Sequence, residues 1–194
     1  MRENREYIAS ASQTLGPFFH FALTANTALG RMAGPEARGE RIQLTVRLFD
    51  SDGAPVEDGM IELWQADTNG KYCHPEDRRE MASDMGLCGF GRMGTDSHGR
   101  CVFETVRPGR VPGSNGHDQA PHINVIVLAR GLLLPLFTRI YFDGDPANTE
   151  DEALSLVPEP RRAALMAHAD PNRPGAWNFD IHLAGDRETV FFDL

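Results

Sequence analysis

Short stretches of alternating apolar and polar residues, separated by clusters of turn residues, dominate the chain after residue 39. The clearest stretch is 42–49, where nearly every second side chain is apolar, as in a strand with one buried face. Turn residues follow at once in the sequence Asp-Ser-Asp-Gly. A chain built from such segments favours paired strands over packed helices.

Further strand patterns occur at residues 60–66, 101–106, 122–130, 137–142, 177–183 and 189–192. The segment 122–130 is apolar on both faces, which predicts a central strand. Only residues 158–168 favour a helix, and residues 73–99 show no regular pattern. About seven short strands with turns between them predict an all-β fold, a β-sandwich with long loops and one short helix.

The N-terminal residues 1–39 lack this strand pattern, and residues 30–39 are rich in Gly, Pro and Arg. We therefore expect an N-terminal arm and loop over residues 1–39 and a β-sandwich domain over residues 40–194.

The composition of the chain argues against several classes of protein. A net charge of −9 argues against a general nucleic-acid binder, which needs positive charge to attract phosphates. No apolar run approaches the length of a membrane span, and the first ten residues do not resemble a signal peptide. Three cysteines without a C-x-x-C pair suit neither a disulfide framework nor a zinc site, and they predict a cytoplasmic protein.

Common catalytic motifs are missing from the sequence, and the strongest local pattern is His122-Ile123-Asn124. Side chains two apart on a strand project to the same face, so two histidines there would present both imidazoles to one metal ion. Asn is a weak ligand for transition metals. The residues alone therefore predict a buried His122 bonded to backbone. The charges at residues 76–80 (Glu-Asp-Arg-Arg-Glu) predict either a solvated cluster or a contact with a partner.

Several longer motifs carry a family resemblance. The longest motif is the spacing Ile61-Glu62-Leu63-Trp64-Gln65-Ala66-Asp67 with Gly70 and Tyr72. The other motifs are Ser12-Gln13-Thr14 with Gly16-Pro17, Ala120-Pro121-His122-Ile123-Asn124, Ala129-Arg130-Gly131 and Glu188-Thr189-Val190-Phe191-Phe192-Asp193. By these motifs the chain resembles the intradiol catechol dioxygenases. The match runs from about residue 12 to the C-terminus.

This resemblance implies a site that is incomplete in this chain. Catalytic members of the family hold Fe(III) through two Tyr and two His and cleave a catechol with O₂ between its hydroxylated carbons. The matching positions here are Tyr72, Val111, His122 and Asn124, of which only Tyr72 and His122 are of ligand type. Gln119 stands where catalytic chains have an Arg. The resemblance thus implies vestigial ligand positions, no catalytic residue in this chain alone, and Fe(III) bound by a partner subunit.

The resemblance also implies a role at the partner's pocket, where Thr14, Gly16, Pro17 and Arg130 would contact substrate. A regular strand from His122 to Arg130 spans roughly 26 Å at about 3.3 Å per residue, so Arg130 is out of reach of a site at His122. Without the resemblance, we expect Arg130 to form a structural ion pair and Thr14, Gly16 and Pro17 to form a turn.

Three functions remain in competition. The first is a subunit of a hetero-oligomeric dioxygenase that shapes its partner's pocket. The second is a metal-free binding or scaffold domain that stands alone on the same fold. The third, a self-sufficient iron enzyme, is opposed by the missing ligands at Val111 and Asn124.

Overall fold

The computed structural model describes residues 22–113 and 116–193, and its regular structure is mostly strand. The strands in chain order are β1 (Arg41–Phe49), β2 (Met60–Trp64), β3 (Phe90–Gly94), β4 (Arg100–Val106), β5 (Val111–Pro112), β6 (Asp118–Gln119), β7 (His122–Leu128), β8 (Leu136–Phe142), β9 (Met166–Ala169) and β10 (Ala176–His182). Short 3₁₀ helices occupy Thr27–Gly30, Pro146–Glu150 and Glu159–Leu165, and an α-helix occupies Glu152–Ser155.

Eight of these strands are hydrogen-bonded in the order β3-β2-β7-β8-β9-β10-β1-β4. Strand β9 joins two halves, because it pairs in parallel with β8 and antiparallel with β10. The inner faces of both halves contribute to one apolar core, which is the arrangement of a β-sandwich. The predicted all-β sandwich is confirmed.

Alternation along the strands explains how this core forms. In β1 the side chains of Ile42, Leu44, Val46 and Leu48 are buried, while those between them are half-buried or exposed. Strand β7 lies between β2 and β8, so its predicted central position is confirmed. The described part of the N-terminal region joins the core as well, through the fully buried side chain of Met32.

The helix predicted at residues 158–168 is confirmed only in part, because its last residues form a strand. Residues Glu159–Leu165 form a 3₁₀ helix after Pro158, and the following residues form β9. There Met166 pairs with Tyr141, and His168 pairs with Asn178. Pairing with two strand edges outweighs the helix propensity of the Ala-rich segment. The short α-helix lies at Glu152–Ser155 and is capped by Asp151, whose Oδ1 accepts from the amide of Leu154 at 2.8 Å.

Two strand predictions also need correction. Residues 189–192 make no strand, because only Phe192 bridges to Phe137. Strand β3 lies in the segment expected to be irregular. The strand contains glycines, which have a low propensity for strands, so the sequence did not indicate it. Gly91 is nevertheless needed there, because a β-carbon would lie 2.7 Å from the sulfur of the buried Met32. Among the described residues, no helix has the length and apolarity needed to cross a membrane.

Candidate functional site

A pocket of about 460 Å³ opens beside the start of β7. The side chains around it come from strands β2, β5, β6, β7 and β8 and from the loop after β2. The lining residues are Trp64, Tyr72, His74, Glu76, Asp77, Arg79, Val111, Pro112, Gln119, His122, Asn124 and Arg139. The structure therefore brings together all four predicted ligand positions, with Gln119 beside them.

A tight turn after β2 places Tyr72 next to Val111. The Asp67 carboxylate accepts from the amides of Asn69 and Lys71, each at 2.9 Å, and this closes the turn. Gly70 has φ +77, and a β-carbon there would collide with the carbonyl oxygen of Arg110. Only glycine allows both this backbone angle and the close approach of the two loops.

His122 is buried and hydrogen-bonded to backbone, as the residues alone predicted. Its Nδ1 lies 2.8 Å from the carbonyl oxygen of Ala120. Since a carbonyl only accepts, Nδ1 carries the proton and Nε2 keeps its lone pair. Burial lowers the pKa of His122 to about 4, and the positive charge of Arg139 acts in the same direction. The imidazole is therefore neutral near pH 7.

Arg139 fills part of the pocket with a guanidinium group. It lies on β8 directly opposite Asn124 of β7, and its Nε donates to Asn124 Oδ1 at 3.1 Å. Its Nη1 donates to Gln119 Oε1 at 2.8 Å and lies 3.4 Å from the hydroxyl of Tyr141. The sequence analysis missed this role. Knowledge of the register between β7 and β8 would have revealed it, because that register sets Arg139 across from Asn124.

Tyr72 forms an aromatic wall with Trp64. The ring centroids are 5.9 Å apart and the planes differ by 7°. Burial raises the pKa of Tyr72, while the charge of Arg139 opposes that change in part. Both effects act on the phenol in the absence of a metal ion.

The charge cluster at residues 76–80 is solvated as predicted at Glu76, Arg78 and Glu80, which are exposed, but the prediction is wrong for Asp77. The side chain of Asp77 is only 8% exposed and lies 2.9 Å from Lys71 Nζ and 2.5 Å from Arg79 Nη2. Lys71 Nζ also donates to the carbonyl oxygens of Asp77 and Arg79, so the loop folds over the ammonium group. Hydrogen bonds from Arg79 hold the pKa of Asp77 far below its usual range. A buried lysine upstream of a charge run explains the difference, because it draws an acidic partner inward.

The chemistry of these residues does not fit a ferric ion. Tyr72 and His122 offer donor atoms, Val111 offers none, and the amide oxygen of Asn124 already accepts from a cation. Within residues 22–113 and 116–193, no cluster of three or more His, Cys, Asp or Glu could hold a metal elsewhere.

The other predicted site residues lie outside this pocket. Arg130 follows the end of β7, is exposed, and forms an ion pair with Asp58 through its Nε at 3.0 Å. Asp58 has φ 59 and is the one non-glycine residue with a positive φ in the part of the chain that the structure describes. Thr14, Gly16 and Pro17 lie outside the described residues.

Comparison with known proteins agrees with this fold and pocket. A family model described as "Dioxygenase" matches residues 15–185. The protocatechuate 3,4-dioxygenase alpha chain of Burkholderia cepacia is 43% identical over 94% of this chain and 96% of that protein. The beta chain from the same organism is 35% identical over 90% of this chain and 75% of that one. The solved structure of 3-chlorocatechol 1,2-dioxygenase from Rhodococcus opacus shares the fold, with a TM-score of 0.63 at 19% identity. The match covers 91% of this chain and 68% of that one.

The fold is a β-sandwich, and Tyr72 and His122, two residues of ligand type, lie in one pocket. The chain belongs to the dioxygenase family, and the resemblance seen in its sequence is confirmed. This family uses non-heme iron.

Proposed function

We propose that this chain is the alpha subunit of a protocatechuate 3,4-dioxygenase. The assembled enzyme uses O₂ to cleave protocatechuate between its hydroxylated carbons, giving 3-carboxy-cis,cis-muconate. The observation that carries the proposal is the identity of 43% with a named alpha chain over nearly the whole length of both proteins. The lower identity of 35% to a beta chain supports the alpha assignment over the beta one.

In this proposal the beta subunit holds the Fe(III), and this chain holds none. The pocket supports that division of labour, because Val111 stands at one ligand position and offers no donor atom, and Asn124 stands at another with its amide oxygen already accepting from Arg139. The contribution of this chain is to shape the substrate pocket of the partner and to build the oligomer.

Thr14, Gly16, Pro17 and Arg130 are the residues that we assign to the interface with the partner's active site. Arg130 suits that role because its side chain is 61% exposed and lies outside its own chain's pocket. Asp58 contacts its Nε, which is the inner nitrogen of the guanidinium, and this fixes the direction of the side chain. A guanidinium held in this way can pair with the carboxylate of protocatechuate.

The domain division belongs to the proposal as well. Residues 1–39 form an arm and loop that reach the partner, and residues 40–194 form the sandwich. We also propose a cytoplasmic location, which the free thiols of Cys73, Cys88 and Cys101 support, since an oxidising compartment favours disulfides.

A metal-free binding or scaffold domain that acts alone is the second candidate. The specific observation in its favour is the pocket of about 460 Å³, which is large enough for a small molecule.

Co-expression separates the two candidates. The chain is produced with an affinity tag, with and without the beta-type chain encoded in the same genome. Co-purification of the two chains, together with cleavage of protocatechuate by the complex alone, supports the subunit proposal. Failure of the two chains to associate would favour the stand-alone binding domain.

A further inference from the structure

The guanidinium of Arg139 is half-buried and has only neutral hydrogen-bond partners. These are the amide oxygens of Asn124 and Gln119 and the hydroxyl of Tyr141. In the described part of the chain, no carboxylate forms an ion pair with it. A desolvated cation without a counter-ion is costly, so an anion that reaches it gains a strong charge-assisted contact.

The acidic groups nearby are already neutralised or engaged elsewhere. Asp77 has two cationic partners, Lys71 and Arg79. The buried carboxylate of Asp151 accepts from the hydroxyl of Tyr141 and from the amides of Ala120 and Leu154, so it meets Arg139 only through that hydroxyl.

The last acid at the pocket, Glu76, is 75% exposed and lies 3.4 Å from Arg78. Its charge is therefore screened by solvent and by its own partner. Of the four charged residues that line the pocket, Arg139 is thus the one without an oppositely charged partner in the described part of the chain.

The remaining wall contains three aromatic rings. Trp64 and Tyr72 lie nearly parallel, and the ring of His74 meets Trp64 edge-on at 5.9 Å. A wall of this kind favours a planar ring over a flexible aliphatic chain. The volume of about 460 Å³ suits a ligand with one ring.

From this combination we propose that the pocket binds a small aromatic carboxylate, with the carboxylate on Arg139 and the ring against Trp64 and Tyr72. The planar guanidinium of Arg139 can donate hydrogen bonds to a carboxylate. The aromatic side chains favour a ligand that carries a planar ring. The proposal rests on the described contacts of this chain and does not depend on the subunit assignment.

Two tryptophans make the test simple, because the chain contains only Trp64 in the pocket and Trp177 in the core. The full-length chain is labelled with 5-fluorotryptophan, and ¹⁹F NMR follows both resonances during titration with benzoate and 4-hydroxybenzoate. We expect the Trp64 resonance to shift saturably while the Trp177 resonance stays in place. Benzamide, which has the same shape without the charge, should leave both resonances unchanged.

Variants provide the second arm. Arg139→Gln should raise the dissociation constant for benzoate at least tenfold, whereas Arg100→Gln, at an exposed arginine outside the pocket, should not change it. The proposal is overturned if neither carboxylate shifts Trp64, if benzamide shifts it equally, or if Arg139→Gln binds as tightly as the unmodified chain. The benzamide comparison needs no variant, so it decides the matter even if Arg139→Gln does not fold.

Discussion

Arg139 and Asn124 are cross-strand neighbours on β8 and β7, and the guanidinium Nε donates to the amide oxygen at 3.1 Å. Asn124 stands at a position where the family resemblance implies a histidine ligand. The pair thus replaces a metal–ligand contact with a hydrogen bond between two side chains. The imidazole is missing, and the amide oxygen that stands in its place already accepts from Arg139, so the position offers no free donor atom to a metal ion.

Restoring the ligands alone should therefore not restore iron binding. The double variant Val111→Tyr, Asn124→His supplies two Tyr and two His but keeps the charge of Arg139. We expect it to remain free of iron, and we expect the triple variant that adds Arg139→Gln to take up iron because no guanidinium then donates to the side chain at position 124. Metal analysis after dialysis against ferrous salt in air measures this. Equal uptake by the double and triple variants would show that the charge of Arg139 plays no part.

Removing the charge of Asp77 should destabilise the fold. Asp77→Asn leaves Lys71, only 7% exposed, without its carboxylate partner. Loss of one member of a buried ion pair costs about 3 kcal/mol. Urea denaturation measures the free energy of unfolding. The matched control is Asp143→Asn in the exposed pair with His168, for which we expect a change below about 0.5 kcal/mol. Similar losses in both variants would contradict the burial of Asp77.

His122 should make stability depend on pH between about 4 and 6.5. Burial lowers the pKa of His122 in the folded chain to about 4 from its ordinary 6.5, so in this range the unfolded chain binds a proton that the folded chain does not. The free energy of unfolding therefore falls as the pH is lowered from 6.5 towards 4, by about 3 kcal/mol in total.

The variant His122→Gln should lose that part of the pH dependence, while His168→Gln, at an exposed histidine, should keep it. Denaturation curves at several pH values provide the comparison. An unchanged slope in His122→Gln would mean that the imidazole is as accessible to protons in the folded chain as in the unfolded one.

Arg130 should affect substrate binding in the complex with the beta chain. Arg130→Ala removes a charge-assisted contact to the substrate carboxylate, which is worth about 2 kcal/mol, so KM for protocatechuate should rise at least tenfold with a smaller change in kcat. Asp58→Asn should raise KM less, because the guanidinium remains but loses its orientation. Arg100→Ala serves as the control. Unchanged kinetics in Arg130→Ala would show that Arg130 only forms a structural ion pair with Asp58.

Much of the fold could be predicted because alternation marks strands whose one face is buried. Strands β1, β4 and β7 were predicted within two residues for this reason. Strand β3 could not be predicted, since its Gly91 fits against Met32, which is far away in the sequence. Strand β9 was mistaken for helix because its Ala-rich residues become a strand only through pairing with β8 and β10.

The residues at the four ligand positions of the candidate site could be predicted from the sequence, but the presence of the Arg139 guanidinium in the pocket could not. The resemblance indicated Tyr72, Val111, His122 and Asn124, and the structure places all four around one pocket. The role of Arg139 depends on the register of two strands, which no local pattern encodes. The burial of Asp77 likewise depends on how its loop closes over Lys71.

The iron content of this chain, alone and in complex with the beta chain, tests the central claim most directly. The chain is purified in both forms, and iron is measured by atomic absorption together with the visible absorbance of ferric tyrosinate. We predict a colourless chain without iron when it is alone, and one iron per alpha–beta pair in the complex. A coloured, iron-containing protein from this chain alone, or two irons per pair, would contradict the account.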